Sequence, residues 1–195
     1  MSKTKKVRRY SKRVCAIDPG GSGGLAVVHY SDDGFLEIDC AMMMPTVEVM
    51  SKKTVDGGAI VRALGTYNVS KTVIEYVTSR PGQGVASSFQ FGRMFGAIEG
   101  AVRTVELPVY VTPATWKNGI GLPTQKATKQ KYLDKGFSIA QAKKKAKSMV
   151  KKQAIKMATR LYGEEAAAMY WSLAKEDGVA EAALIAAWYL QEHEI

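Results

Sequence analysis

Asp18, Glu75, Asp177 and Glu181 are the residues of this chain whose types and positions could do chemistry together. Asp18 closes the apolar run VCAI, and Glu75 closes TVI, so each falls at the end of a predicted strand. Asp177 and Glu181 are four residues apart, and on a helix beginning near residue 178 they share one face. Like charges brought close repel and shift one another's pKa unless a cation holds them. A hard divalent ion, Mg²⁺ in the usual case, does so with oxygen ligands. Two such ions about 4 Å apart can activate a water and stabilise the leaving oxygen in phosphodiester cleavage. Each acid also has a local reading. Asp18 could end a strand before a Pro-Gly turn, and Asp177 could cap the helix that follows it. Glu75 and Glu181 could pair with Lys71 or Lys175.

The elements that must position these acids read as follows. Residues 13–18 form a strand, and the turn DPGGSGG leads to a second strand over residues 24–31. SDDG turns the chain again, and residues 35–43 complete an antiparallel meander. A helix is predicted over 54–66, a buried strand over 70–76, a long helix over 84–104 and a fifth strand over 107–112. Residues 124–193 read as helix in two or three pieces, broken near Gly136, Gly163 and Gly178. This order gives an α/β class with a mixed sheet. The glycines of GGSGG let backbone approach a metal or phosphate without a Cβ in the way. No GK[ST] follows them, and a strand stands where a dinucleotide fold needs a helix, so neither nucleotide-loop motif is present.

Charge supplies the second half of the argument. The net charge is +10. Of 28 basic residues, seven lie in residues 1–13 and thirteen in 117–160, and those stretches hold one acid, Asp134. The remainder carries 8 bases against 17 acids. An acidic body with two basic segments points to a polyanion, with nucleic acid the first candidate. A solvated Lys-rich helix and a flexible tail are the plainer alternative. Aromatic and apolar residues (Tyr132, Phe137, Ile139, Met149) interleave with the lysines of the long segment, which favours a folded surface. Cys15 and Cys40 have no metal-ligand spacing and read as reduced core residues of a cytosolic protein. No run is long enough to span a membrane, and no signal-peptide pattern follows the basic start.

Four segments together resemble the RuvC family of Holliday-junction resolvases, on its bacteriophage branch: AIDPGGSGGLAVV, VIEYVTSRPGQGVASSFQFGRMFGAIEGAV, LPVYVTPATWKN and EDGVAEAALIAAW. The resemblance covers about residues 13–120 and 147–190. It implies an RNase H-like fold, a five-stranded mixed sheet flanked by helices. It implies a Mg²⁺-dependent endonuclease, with Mn²⁺ as substitute and two ions per site. Such enzymes work as homodimers that nick two opposing strands of a four-way junction, here in the cytoplasm of a bacterial host. By position, Asp18, Glu75, Asp177 and Glu181 become the catalytic carboxylates and metal ligands. Lys117 in TWKN becomes an active-site lysine. Lys151 becomes the second, with Lys152 beside it and Lys126 as a competing assignment.

The chain departs from the family in three places. The last acidic pair is Asp-Glu spaced by four, where Asp-Asp spaced by three is common. Thr78 stands where bacterial members carry an aromatic wedge, which opens a broader debranching activity on forks and flaps. Residues 123–147 exceed what the bacterial family needs, and they read as a basic helical arm inserted in a single nuclease domain (13–195) behind a flexible basic tail (1–12). Arg80, Lys117, Lys126, Lys143, Lys144, Lys145, Lys147, Lys151 and Lys152 are the expected DNA contacts. Gly92, Gly96 and Gly100 make a bare stripe on helix 84–104. Each costs roughly 1 kcal/mol against alanine, so the stripe implies close packing on the sheet or on a second subunit. The resemblance implies the subunit. Two rivals stand beside this reading. One is a catalytically silent junction-binding protein on the same fold. The other is an actin- or sugar-kinase-type ATP site, which needs a second domain and leaves the basic arm without a role.

Overall fold

Unbroken apolar runs along VCAI and LAVV explain the centre of the structure, two strands buried on both faces. The computed structural model describes residues 12–78, 82 and 84–193. Strands β1 (Val14–Asp18), β2 (Gly24–Tyr30) and β3 (Leu36–Met43) form the expected antiparallel meander. A separate hairpin follows, β4 (Thr46–Val49) with β5 (Lys52–Val55). Then come α1 (Gly57–Thr66), β6 (Lys71–Glu75), α2 (Val85–Arg103) and β7 (Val109–Val111). The chain ends in α3 (Pro113–Gly119), α4 (Gln125–Leu133), α5 (Ile139–Tyr170), a 3-10 turn (Ala174–Glu176) and α6 (Asp177–Glu192). The sheet order is β3-β2-β1-β6-β7, with β6 parallel to β1 and β7 parallel to β6. This is a five-stranded mixed sheet flanked by helices with added helical segments, the RNase H-like topology.

Side-chain parity sorts the core into two faces. Val14, Ala16, Ala26, Val28 and Val73 pack under α6 and α5. Cys15, Ile17, Leu25, Val27 and Ile74 pack under α1 and α2. Helix α6 is buried nearly all round from Val179 to Leu190, and its alanines let it lie close to sheet and α5. Cys15 and Cys40 are buried free thiols, and burial pushes the Cys15 thiol far above its ordinary value. Among the described residues no helix is long and apolar enough to cross a membrane.

Two expected helix boundaries change. The helix read as 54–66 starts at Gly57, because 52–55 pair as β5 and Asp56 caps the helix by accepting from Ala59 N–H at 3.0 Å. The break placed near Gly178 lies upstream: α5 ends at Tyr170 and Gly178 belongs to the first turn of α6. The break expected near Gly163 is present: Gly163 takes the non-helical φ +89° and ψ 167°, and two helical stretches meet there within α5. On α2 the buried face is Met94, Ile98 and Val102, while Val85 and Phe89 are exposed. A Cβ at Gly92, Gly96 or Gly100 would meet nothing within 4 Å, so the stripe does not pack on the sheet. The expected tail lies, but for Lys12, outside the described residues.

Candidate active site

The parity of β1 and β6 decides where the first two acids point. Asp18 shares the face of Val14 and Ala16, and Glu75 that of Val73, so both project under α6. They sit at the carboxyl ends of neighbouring parallel strands, one residue past the Ile17–Ile74 pair. The start of α6 reaches them because of glycine. Gly23 of the β1–β2 turn bridges Gly178, and a Cβ on Gly178 would lie 2.5 Å from Ser22 O and 2.6 Å from Gly23 Cα. Only bare backbone permits that approach. Asp177 and Glu181, one turn apart on α6, are thereby set beside the strand ends.

Asp18, Glu75, Glu181 and Lys117 line one cavity of about 360 Å³, whose wall includes the glycine turn and Phe91. Asp18 keeps some solvent contact, yet its carboxyl is held well above the usual carboxylate range. Desolvation is the largest cause, and the charges of Glu75, Glu181 and Asp177 add to it while Lys117 opposes it. Asp177 therefore belongs to the same electrostatic cluster without lining the cavity.

Each of the other three acids engages a donor. Lys117 Nζ stands 3.1 Å from Glu181 Oε1, with both side chains nearly buried. Lys151 Nζ, reaching across from α5, stands 2.6 Å from Asp177 Oδ2. Trp116 Nε1 donates to Glu75 Oε1 at 2.7 Å in the buried interior. The ammonium of Lys117 also lies 4.8 Å from the centre of the Trp116 ring. Helix α3 presents both residues. It opens with Pro113 in its first turn, and Thr112 accepts from Thr115 N–H at 3.2 Å.

The donor set is all carboxylate oxygen, which suits a hard cation such as Mg²⁺ or Mn²⁺. Burial, with the neighbouring acids adding to it, raises the Asp18 pKa, and a cation among them would relieve both. In the present pairing, however, no three carboxylate, His or Cys side chains among the described residues stand close enough to hold one ion. Lysine ammonium groups and an indole N–H take up the oxygens instead.

The local readings of the acids fare unevenly. Asp177 is the first residue of α6, whose cap position is Glu176, so it is not the cap. Glu181 pairs with Lys117 rather than Lys175, and Lys71 pairs with Glu106 at 3.0 Å. Of the two competing lysines, Lys151 touches an acid of the cluster, while Lys126 is exposed in the first turn of α4. Lys143, Lys144, Lys145, Lys147 and Lys152 are exposed on α5, opposite its buried alanine stripe. Lys145 lies 4.8 Å from the centre of the Phe137 ring. Arg80 lies outside the described residues. Sequence reasoning missed Trp116 and Phe91. The signal for Trp116 was present: a large apolar residue next to Lys117, just after a strand.

No protein-family model and no curated protein sequence matches the chain. Solved structures do match in shape, two RuvC structures among them. Thermus thermophilus RuvC in complex with a Holliday junction substrate is 14% identical with a TM-score of 0.57, covering 92% of this chain and 96% of that one. The Thermus thermophilus RuvC structure is 16% identical with a TM-score of 0.50, covering 93% and 96%. The likeness is one of fold. It spans nearly the whole chain.

Proposed function

We propose that this chain is a divalent-cation-dependent endonuclease of branched DNA, of RuvC type, with motifs of the bacteriophage branch. The observation that carries the reading is the convergence of Asp18, Glu75 and Glu181 on one cavity, with Asp177 beside it, from three elements far apart in sequence. The fold shared with a junction-bound RuvC supports it. Asp18, Glu75, Asp177 and Glu181 are the residues that would hold the ions. When bound, two Mg²⁺ or Mn²⁺ ions supply Lewis-acid charge at the phosphoryl group and a means of activating water.

The remaining work falls to the chain itself. Trp116 fixes Glu75 in one orientation by a hydrogen bond within the dry interior. Lys117 and Lys151 place positive charge at the cavity and beside it, where a phosphate arriving there meets compensation. Lys143, Lys144, Lys145 and Lys147, with Lys126 and Lys152, grip phosphates without reading bases. Residues 123–147 act as a DNA-binding arm inserted in one nuclease domain. The open face of α2, with Gly92, Gly96, Gly100 and exposed Phe89, is the surface for a second copy, which puts two identical sites on one two-fold assembly.

The exposed Thr78 favours a second reading, a debranching enzyme that also cuts forks, flaps and three-way junctions, because no aromatic there selects the four-way form. Labelled four-way, three-way, flap and linear DNAs incubated with Mg²⁺, Mn²⁺ or EDTA test both. Paired nicks in the four-way junction with either ion, absent with EDTA, are expected. Comparable cutting of flaps would select the broader enzyme. Tight junction binding without cleavage under either ion would leave a silent binding protein.

A further inference from the structure

Beside the acidic cavity lies a second depression, a groove of about 640 Å³ between hairpin β4–β5 and the first half of α2. Gly21 and Phe91 line both spaces, so the groove adjoins the carboxylate cavity. Its floor is apolar, built by Phe91, Met94 and Ala86. Its other wall carries Lys52 and Lys53, both exposed. Glu48 is the cross-strand neighbour of Lys53, yet among the described residues neither lysine forms an ion pair.

The groove is held open by built contacts. Gln90 Nε2 donates to Lys53 O at 2.8 Å and ties the hairpin to the helix. Val55 anchors the base of the hairpin in the core, and Gly57 lies so near α2 that an added Cβ would meet Ala101 Cβ at 3.2 Å. The residues lining the groove belong to a face of α2 other than the open glycine stripe, so a second subunit on that stripe leaves the groove accessible.

We infer that this groove seats one or two unpaired nucleotides of the strand whose phosphate enters the carboxylate cavity, with a base stacked on Phe91 and Met94 and its phosphates met by Lys52 and Lys53. The inference rests on the nuclease reading for the identity of the strand. Three features favour this occupant. Two free ammonium groups complement a polyanion. An aromatic and a thioether floor gives any base a sequence-tolerant stacking platform. Adjacency to the cavity, through shared Gly21 and Phe91, sets the groove beside the phosphate that enters it. A groove of this kind would select branch points, because only there is the strand free to unstack next to the cut. It would supply the unpairing device that Thr78 does not.

A four-way junction carrying 2-aminopurine singly at each nucleotide around the crossover tests this, with the full chain in EDTA so that nothing is cut. Wild-type protein should change the fluorescence at one or two of these positions. Lys52→Ser/Lys53→Ser should abolish that change and lower the slope of log K against log salt by about 1.5. Lys143→Ser/Lys144→Ser should lower the slope similarly but keep the fluorescence change, which separates the groove from general charge. Phe91→Leu should keep the salt slope and reduce the fluorescence change. An unaltered fluorescence change in the Lys52/Lys53 variant, alongside cleavage by wild type in Mg²⁺, overturns the groove and leaves the nuclease standing. Loss of the change in that variant, with no cleavage by wild type in any metal, keeps the groove as a nucleotide site and overturns the nuclease.

Discussion

Replacing Lys117 by methionine keeps the length of the side chain and removes the ammonium that faces two acids. The pair with Glu181 at 3.1 Å is 10% and 13% exposed at its two side chains. Breaking a buried pair by deleting one partner costs about 3–5 kcal/mol. The residual exposure places this one at the lower end, about 3 kcal/mol. For a chain of this length that lowers Tm by about 6–12 °C. The same ammonium opposes the upward pull on Asp18, so its removal raises the Asp18 pKa further. The two effects act oppositely on cation uptake. Above the Asp18 pKa the variant offers an unpaired Glu181 and should gain more stability from Mn²⁺ than wild type does. Below it, protonated Asp18 withdraws a ligand, and the variant should gain less. Thermal unfolding with and without Mn²⁺, scanned in pH upward from the ordinary carboxylate value through the raised Asp18 pKa, should therefore give curves of Mn²⁺-induced Tm shift that cross. Curves that coincide, or a variant with the smaller shift at every pH, would refute the claim that Lys117 and the cation compete for the same carboxylates.

Asp18→Asn should abolish cleavage while keeping junction binding. It should also stabilise the metal-free protein. The native state holds the Asp18 proton more tightly than the unfolded chain, so wild-type stability falls as pH rises from about 3.8 through the raised pKa. The variant escapes that loss, and its advantage in Tm should be smallest near the ordinary carboxylate value and grow as pH rises. Trp116→Phe deletes the donor to Glu75, worth about 1.5–3 kcal/mol to a charged acceptor. If Trp116 only packs, Tm falls and the apparent Mn²⁺ affinity holds; orientation of Glu75 predicts that both fall. Gly178→Ala drives a Cβ against Ser22 O and Gly23, pushes α6 off the β1–β2 turn, and should cut the cleavage rate about 100-fold or more. Serine at Lys143, Lys144, Lys145 and Lys147 should reduce the salt slope of junction binding by roughly 2–4. An unchanged slope would make α5 a solvated surface.

The fold was readable where one pattern had one physical cause. The unbroken apolar runs of β1 and β2 report two buried faces, and strand parity then fixes which way Asp18 points. The spacing of Asp177 and Glu181 needs only a helix to place them on one side. The β4–β5 hairpin escaped because TVEV is wholly exposed, so no core face imprints a period on it. Its turn residues Met50 and Ser51 both take positive φ without the Asn-Gly chemistry that usually announces such a turn. Helix α3 escaped for a different reason. Its signals, Thr112 and Pro113, were present but brief, and a seven-residue helix leaves little periodicity.

Pairings between distant residues lie beyond any local pattern. Lys117 meets Glu181 across 64 residues, and Trp116 meets Glu75 across 41. The choice between Lys126 and Lys151 depends on the course of α5, which packs along α6 and brings Lys151 to Asp177. That arrangement joins the two halves of the charge map in one contact. The lysine nearest the acids belongs to the same helix as the lysines proposed to hold DNA, so a phosphate that engages Lys151 draws it from Asp177 and frees a carboxylate. Lys151→Met should then raise Mn²⁺ affinity without DNA and abolish any further gain when a junction is added, as read by Tm shift in Mn²⁺ with and without DNA. A junction-dependent gain that survives in the variant would show that Lys151 does not couple the arm to the site.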